Sequence, residues 1–188
     1  GPVMGSAFVG REHELAVLRT ALSDVRDGRS AFVSVEGSSG MGKTELVMRF
    51  VTNAERSEGA VVLRGRCHPR ESVPYAGIDG VIDDLSEWLT TLPEEERARL
   101  APEDADALVG SFPVLGRIFR TKGEGQSGDA YELRRRLVRA LRDLLSNIAQ
   151  ERLFAIWIDD VQWGSADAGL LLAEVFRRPT PRLLLVLS

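Results

Sequence analysis

At 188 residues the chain has the length of a single domain, enough to bury a core without disulfides or metals. Its 28 acidic and 24 basic residues leave a formal charge of −4, so no global basic field argues for nucleic acid. One cysteine, Cys67, excludes an internal disulfide framework and suits a reducing, cytoplasmic setting; no apolar run approaches the roughly 20 residues of a membrane helix. The opening Gly1-Pro2-Val3-Met4-Gly5-Ser6 lacks the charged and apolar regions of a signal peptide and reads as the remnant of a cleaved expression tag.

Leu15, Leu18, Leu22 and Val25 recur every three or four residues, which predicts an amphipathic helix over about Glu12–Asp27, stopped by Gly28. The β-branched, apolar run Ala31–Glu36 is expected to be a buried strand, followed by a glycine-rich turn and a helix from Lys43 to about Arg56. A second strand, Ala60–Arg66, leads through a turn with Pro69 and Pro74 to a helix over about Ala76–Leu92. Short helical patches follow at Glu94–Leu100 and Glu103–Gly110, interrupted by Pro102 and Pro113. Lys122–Gly128, with three glycines and no apolar residue, reads as a loop or disordered tip. Asp129–Gln150 carries leucines along one face of a long helix; Leu153–Ile158 is a third strand, Ser165–Arg177 a helix and Leu183–Leu187 a fourth strand. Strands alternating with helices predict an α/β fold, a parallel sheet with helices on both faces.

Gly37-Ser38-Ser39-Gly40-Met41-Gly42-Lys43-Thr44 satisfies G-x-x-x-x-G-K-[ST] between a predicted strand and a predicted helix, the context this motif requires. The glycines let the backbone turn tightly and aim N–H groups at a polyphosphate, and the helix N-terminus adds partial positive charge. Lys43 is expected to reach the β- and γ-phosphates and the Thr44 hydroxyl to ligate Mg²⁺. Ser38, Ser39, Gly40, Met41, Gly42 and Glu45 complete this part of the nucleotide-binding set, with ATP or ADP and Mg²⁺ as the expected cofactors.

Hydrolysis also needs a metal ligand and a group that orients water. The apolar run Phe154–Ile158 delivers Asp159 and Asp160 at the C-terminal end of a strand, where open α/β sheets bind ligands. Asp159 is the candidate Mg²⁺ ligand opposite Thr44, and Asp160, with Lys43, the candidate catalytic residue. An ordinary aspartate pair at a strand-to-loop turn is the alternative.

Phe8-Val9-Gly10-Arg11-Glu12, the phosphate loop and Asp159-Asp160-Val161-Gln162-Trp163 together resemble an AAA-related STAND-type P-loop ATPase module. Such modules occur in bacterial multidomain Ser/Thr kinase–ATPase proteins and large LuxR-type regulators; the stretch Arg66–Tyr75 is most similar to the kinase–ATPase branch. The resemblance spans Ala7 to Ser188. It implies a P-loop NTPase core truncated after the fourth core strand, lacking the sensor arginine, the last strand and the helical lid. It places Val9 and Gly10 at the base and gives Arg11 the task of fixing the nucleotide or the box itself. The implied function is a slowly hydrolysing, ATP/ADP-dependent conformational switch in a larger regulatory protein. The implied partners are nucleotide, further copies, and adjacent signalling or effector domains, with neither direct nucleic-acid binding nor membrane. Because the family sets the fourth strand beside the first, Ala31–Glu36 is expected to be an exposed edge, open to pairing with another chain.

Two other readings share the phosphate loop. A small-molecule kinase would need an acceptor pocket and an arginine-rich lid, for which the Arg117–Arg136 region is the candidate. A non-catalytic assembly module would need nucleotide binding alone. Arg134, Arg135, Arg136, Arg139 and Arg142 crowd one helix and read as a solvated face or a phosphate or partner patch. His13 and His68 lack metal-ligand spacing, and Cys67 reads as a semi-buried structural thiol. Gln162 and Trp163 either orient the acidic loop or, in the case of Trp163, anchor it.

Overall fold

Four strands, β1 (Ala31–Ser34), β2 (Val61–Arg66), β3 (Phe154–Asp159) and β4 (Leu184–Leu187), form one parallel sheet in the order β1-β4-β3-β2. This computed structural model describes residues 11–38, 40–69, 75–123 and 128–188. Seven helices accompany the strands among those residues: α1 (Glu12–Arg26), α2 (Lys43–Glu58), α3 (Ile78–Thr90), α4 (Glu94–Leu100), α5 (Ala105–Ser111), α6 (Ala130–Glu151) and α7 (Ala166–Val175). Short 3-10 turns cover Pro113–Arg117 and Val161–Trp163. None of the described helices is long and apolar enough to cross a membrane.

The register levels the C-terminal ends of all four strands, because Ser34 and Ile158 both lie beside Leu187 and Arg66 lies beside Asp159. Side chains of a strand alternate between faces, so the fully buried β3 feeds two cores. Phe154, Ile156 and Ile158 pack with α3, α5, α6 and α7, whereas Ala155 and Trp157 pack with α1 and α2. Asp159 continues the second series and therefore faces α2, the helix that follows the phosphate loop. Each fully buried Leu or Phe contributes about 1.5–3 kcal/mol. Leu137, Leu144 and Ile148 on α6 do so by closing one face, and Leu18, Leu22, Leu46 and Val51 do so on the other.

Helix ends follow local chemistry. Asp129 accepts the Glu132 N–H at 2.8 Å and Ser165 the Ala168 N–H at 3.1 Å, so both residues cap α6 and α7 rather than beginning them. Gly65 is a packing requirement: a Cβ there would lie 2.2 Å from the Gly77 carbonyl oxygen and 2.6 Å from Val81 Cγ2, so its absence lets α3 seat directly on β2.

Four expectations change. The strand Ala31–Glu36 ends at Ser34 and is an edge, not a buried strand: Phe32 is 54% exposed and meets Phe176 edge-to-face at 5.7 Å. Its neighbour β4 covers only one side of it, as the resemblance anticipated. Cys67 is fully rather than partly buried, with Sγ 3.7 Å from the Ala76 carbonyl. The arginine face of α6 is not simply solvated. Arg142 donates to the carbonyls of Glu174, Arg177 and Pro179 at 3.2, 2.9 and 2.6 Å, satisfying groups at the end of α7. Arg136 binds Asp104 bidentately at 2.7 and 3.0 Å, and Arg117 reaches Ser86 at 3.0 Å, so neither forms an arginine lid over the phosphate loop. The box residues Phe8, Val9 and Gly10, the tag remnant 1–6, Ser39, residues 70–74 and the tip at 124–127 lie outside the described residues.

Candidate functional site

Beyond Ser34 the chain leaves β1, loops back and re-enters structure at Lys43, the first residue of α2. Gly40 and Gly42 hold φ of +80° and +73°, a left-handed conformation that side-chain-bearing residues seldom adopt, and this turns the loop sharply over the helix N-terminus. The Lys43 ammonium donates to the carbonyls of Gly37 at 2.8 Å and Ser38 at 3.3 Å, folding back along the loop. Arg11 braces the same loop from outside by donating through Nη2 to the Met41 carbonyl. Ser38 and Met41 thus act through their backbone, while Gly40, Gly42, Lys43, Thr44 and Glu45 line the cleft itself.

Thr44 and Asp159, far apart in sequence, meet: the Thr44 hydroxyl donates to Asp159 Oδ2 at 2.9 Å. Asp159 is 4% exposed, and its other oxygen accepts from Ser188 Oγ at 2.7 Å and from the Asp160 N–H at 3.0 Å. Ser188 is in turn held by Trp157 Nε1 at 2.9 Å, so a buried chain of donors aims the carboxylate at Thr44.

Asp160 sits just beyond β3 with φ of +56°, a strained setting that an aspartate tolerates better than most residues. That turn carries its carboxylate away from Asp159. Oδ2 takes Arg66 Nε at 2.9 Å and Nη2 at 2.8 Å, and Oδ1 takes Gln162 Nε2 at 3.1 Å. Loop, Arg66, Asp160, Gln162 and Ser188 enclose a cleft of about 890 Å³ at the C-terminal edge of the sheet, ample for a nucleotide's phosphates.

Sequence reasoning missed Ser188 and the placement of Arg66, since neither belongs to a motif; each is recruited by strand register. Of the two alternatives for the acidic loop, Gln162 orients it, whereas Trp163 is 51% exposed and anchors nothing by burial. His13 and His68 are exposed, and no group of three or more His, Cys, Asp or Glu suited to a metal occurs among the described residues.

A four-stranded parallel sheet with the phosphate loop after β1 and an acidic pair at the C-terminal end of β3 is the architecture of a P-loop NTPase. The family described as AAA ATPase domain matches residues 7–187, and the chain belongs to it. It is an AAA-type P-loop ATPase module, a class that binds nucleotide. A comparison with curated proteins finds no match.

Proposed function

We propose that this chain is the nucleotide-binding core of a STAND-type signalling ATPase, holding Mg·ATP or ADP and hydrolysing ATP slowly as a conformational switch within a larger cytoplasmic regulatory protein. The observation that carries the reading is the 2.9 Å contact of Thr44 with the buried Asp159, which unites the phosphate loop and the acidic strand in one place. Their hard oxygens suit Mg²⁺, which takes one or two protein ligands and leaves the rest to phosphates and water. When bound, the metal would neutralise charge on the β- and γ-phosphates.

The other roles belong to the protein's own groups. Lys43 exchanges the Gly37 and Ser38 carbonyls for phosphate oxygens, and the loop N–H groups and the α2 N-terminus receive the remaining charge. Asp160 orients the attacking water once one of its present partners, Arg66 or Gln162, gives way. Arg11, bonded to Met41, steadies the loop, while Val9 and Gly10 are assigned to the base.

The same geometry supports slow turnover. Both Asp160 oxygens are engaged, and Arg66 is the one arginine among the residues lining the cleft. A transition-state arginine supplied from outside is worth about 10³–10⁵ in rate in related systems. The exposed β1 edge supports self-association or docking of a further element there.

Fluorescent-ADP titration tests the binding half: wild type should bind and Lys43→Ala should lose most of the affinity. Hydrogen exchange compared between ATP and ADP tests the switch. Equal affinity of the two proteins would remove the nucleotide site, and identical exchange in both nucleotides would leave an ATP-binding module that does not switch.

A further inference from the structure

Between the first half of α6 and the C-terminal end of α7 lies a second cleft, of about 500 Å³, built from residues that the phosphate site does not use. Five guanidiniums line it (Arg134, Arg135, Arg139, Arg142 and Arg177) against two carboxylates, Asp143 and Glu174. This concentration of positive charge occurs on a chain whose overall charge is −4.

Three of those arginines are already held in place. Arg134 Nε bridges both Glu174 oxygens at 3.1 and 3.2 Å, Arg142 is tied to three carbonyls around the end of α7, and Arg135 lies 6.0 Å from the centre of the Tyr131 ring. Of the side chains that would meet a ligand, Arg134 therefore has little entropy left to lose when one arrives. Arg139 and Arg177 make no side-chain hydrogen bond or ion pair among the described residues. Arg134 Nη2 is buried and meets no acceptor among them.

We infer that this cleft binds an acidic, extended segment of a partner protein, its carboxylates taken by Arg134, Arg139 and Arg177. Guanidinium forks match carboxylates in plane and in pairs, which gives discrete anchor points. Between the anchors the floor is apolar: Val138 lies in the cleft, and Tyr131, 71% exposed, offers a ring at its mouth. A ligand that alternates carboxylates with apolar side chains matches that lining. A continuous phosphate backbone does not, because it offers no apolar side chains to Val138 and the Tyr131 ring. The site stands apart from the nucleotide reading, since α7 separates it from the loop that carries Asp160.

The test is fluorescence anisotropy of the whole chain with a short labelled peptide of glutamates interspersed with leucines, at low salt. Controls are the same peptide with glutamine for glutamate and single-stranded DNA of matching length. The acidic peptide should bind, and the glutamine form should bind at least tenfold more weakly, because tenfold is about the loss of a single charge-assisted hydrogen bond and the glutamine form forfeits all of them. The double variant Arg139→Glu, Arg177→Glu should lose at least as much while keeping its affinity for fluorescent ADP, which shows that it is folded. Absent binding, equal binding by the variant, or DNA displacing the peptide at lower concentration would each overturn the assignment.

Discussion

Replacing Thr44 by valine removes one hydroxyl and keeps the shape of the side chain. In the structure that hydroxyl is one of three donors to Asp159, beside Ser188 at 2.7 Å and the Asp160 N–H at 3.0 Å. A hydrogen bond to a charged acceptor is worth about 1.5–3 kcal/mol. Two donors remain and position 44 is open to water, so the low end applies: a loss of about 1.5 kcal/mol. At about 2–4 °C per kcal/mol for a chain of this size, Tm should fall by a few degrees. Binding should suffer more than folding, because the same oxygen is the assigned metal ligand. Disturbing even the outer partners of a metal commonly weakens its binding about 10–100-fold, and removal of a direct ligand should do no less. Titrating fluorescent ADP with Mg²⁺ and again with EDTA separates the two effects. Wild type should gain affinity from the metal, Thr44→Val should not, and Thr44→Ser should recover the gain. If Thr44→Val responds to Mg²⁺ as fully as wild type does, the pairing of Thr44 with Asp159 has no bearing on metal binding and the reasoning fails.

Arg66→Ala should cost under about 1 kcal/mol in urea denaturation, because its ion pair with Asp160 is partly exposed on both sides, 57% and 30%. It should alter ATP turnover more than ADP affinity, which steady-state assays and titrations read separately. Gly65→Ala should destabilise by about 1–3 kcal/mol or more, since its Cβ would meet the backbone oxygen of Gly77 and not merely a mobile side chain; chemical denaturation checks this. Two aspartates should respond oppositely to pH. Hydrogen bonding from Arg136 holds the Asp104 carboxyl below its ordinary range, so its stabilisation is present above about pH 4 and is lost as pH falls through the depressed folded value. Burial raises Asp84 despite its bond from the Arg64 N–H at 2.8 Å, so its ionised form costs stability at neutral pH and acid relieves that cost. Stability measured against pH should therefore show Asp104→Asn destabilising at pH 7 with an effect that fades in acid, and Asp84→Asn neutral or stabilising at pH 7 with an advantage that also fades.

Much of the fold was readable because its signals are local. The leucine spacing of α6 and the glycine that stops α1 each act within a turn or two of chain. Boundaries differ by a residue or two where a sequence pattern runs on into a cap, as at Asp129 and Ser165. The 3-10 turns were not legible, since a proline, or the run Asp160-Val161-Gln162-Trp163 after a strand, signals a break without specifying its form. The exposure of β1 has a different reason. An apolar run reports that a strand suits a core, but only pairing decides whether a neighbour covers each side of it. The arginines of α6 were equally opaque, because their partners Asp104 and Glu174 come from α5's cap and from α7, 32 and 40 residues away.

By itself the sequence determined that a glycine-rich loop closes over a helix N-terminus, that Lys43 and Thr44 stand at its mouth, and that an apolar strand ends in two carboxylates. Those features depend on covalent neighbours and short-range backbone geometry. Tertiary structure decided which carboxylate faces Thr44, what holds the other, and that Ser188 and Trp157 brace the first. The physical reason is register. Strand alternation assigns side chains to faces, but only the level pairing of Arg66 with Asp159 and of Ile158 with Leu187 brings residues from three distant segments to one edge.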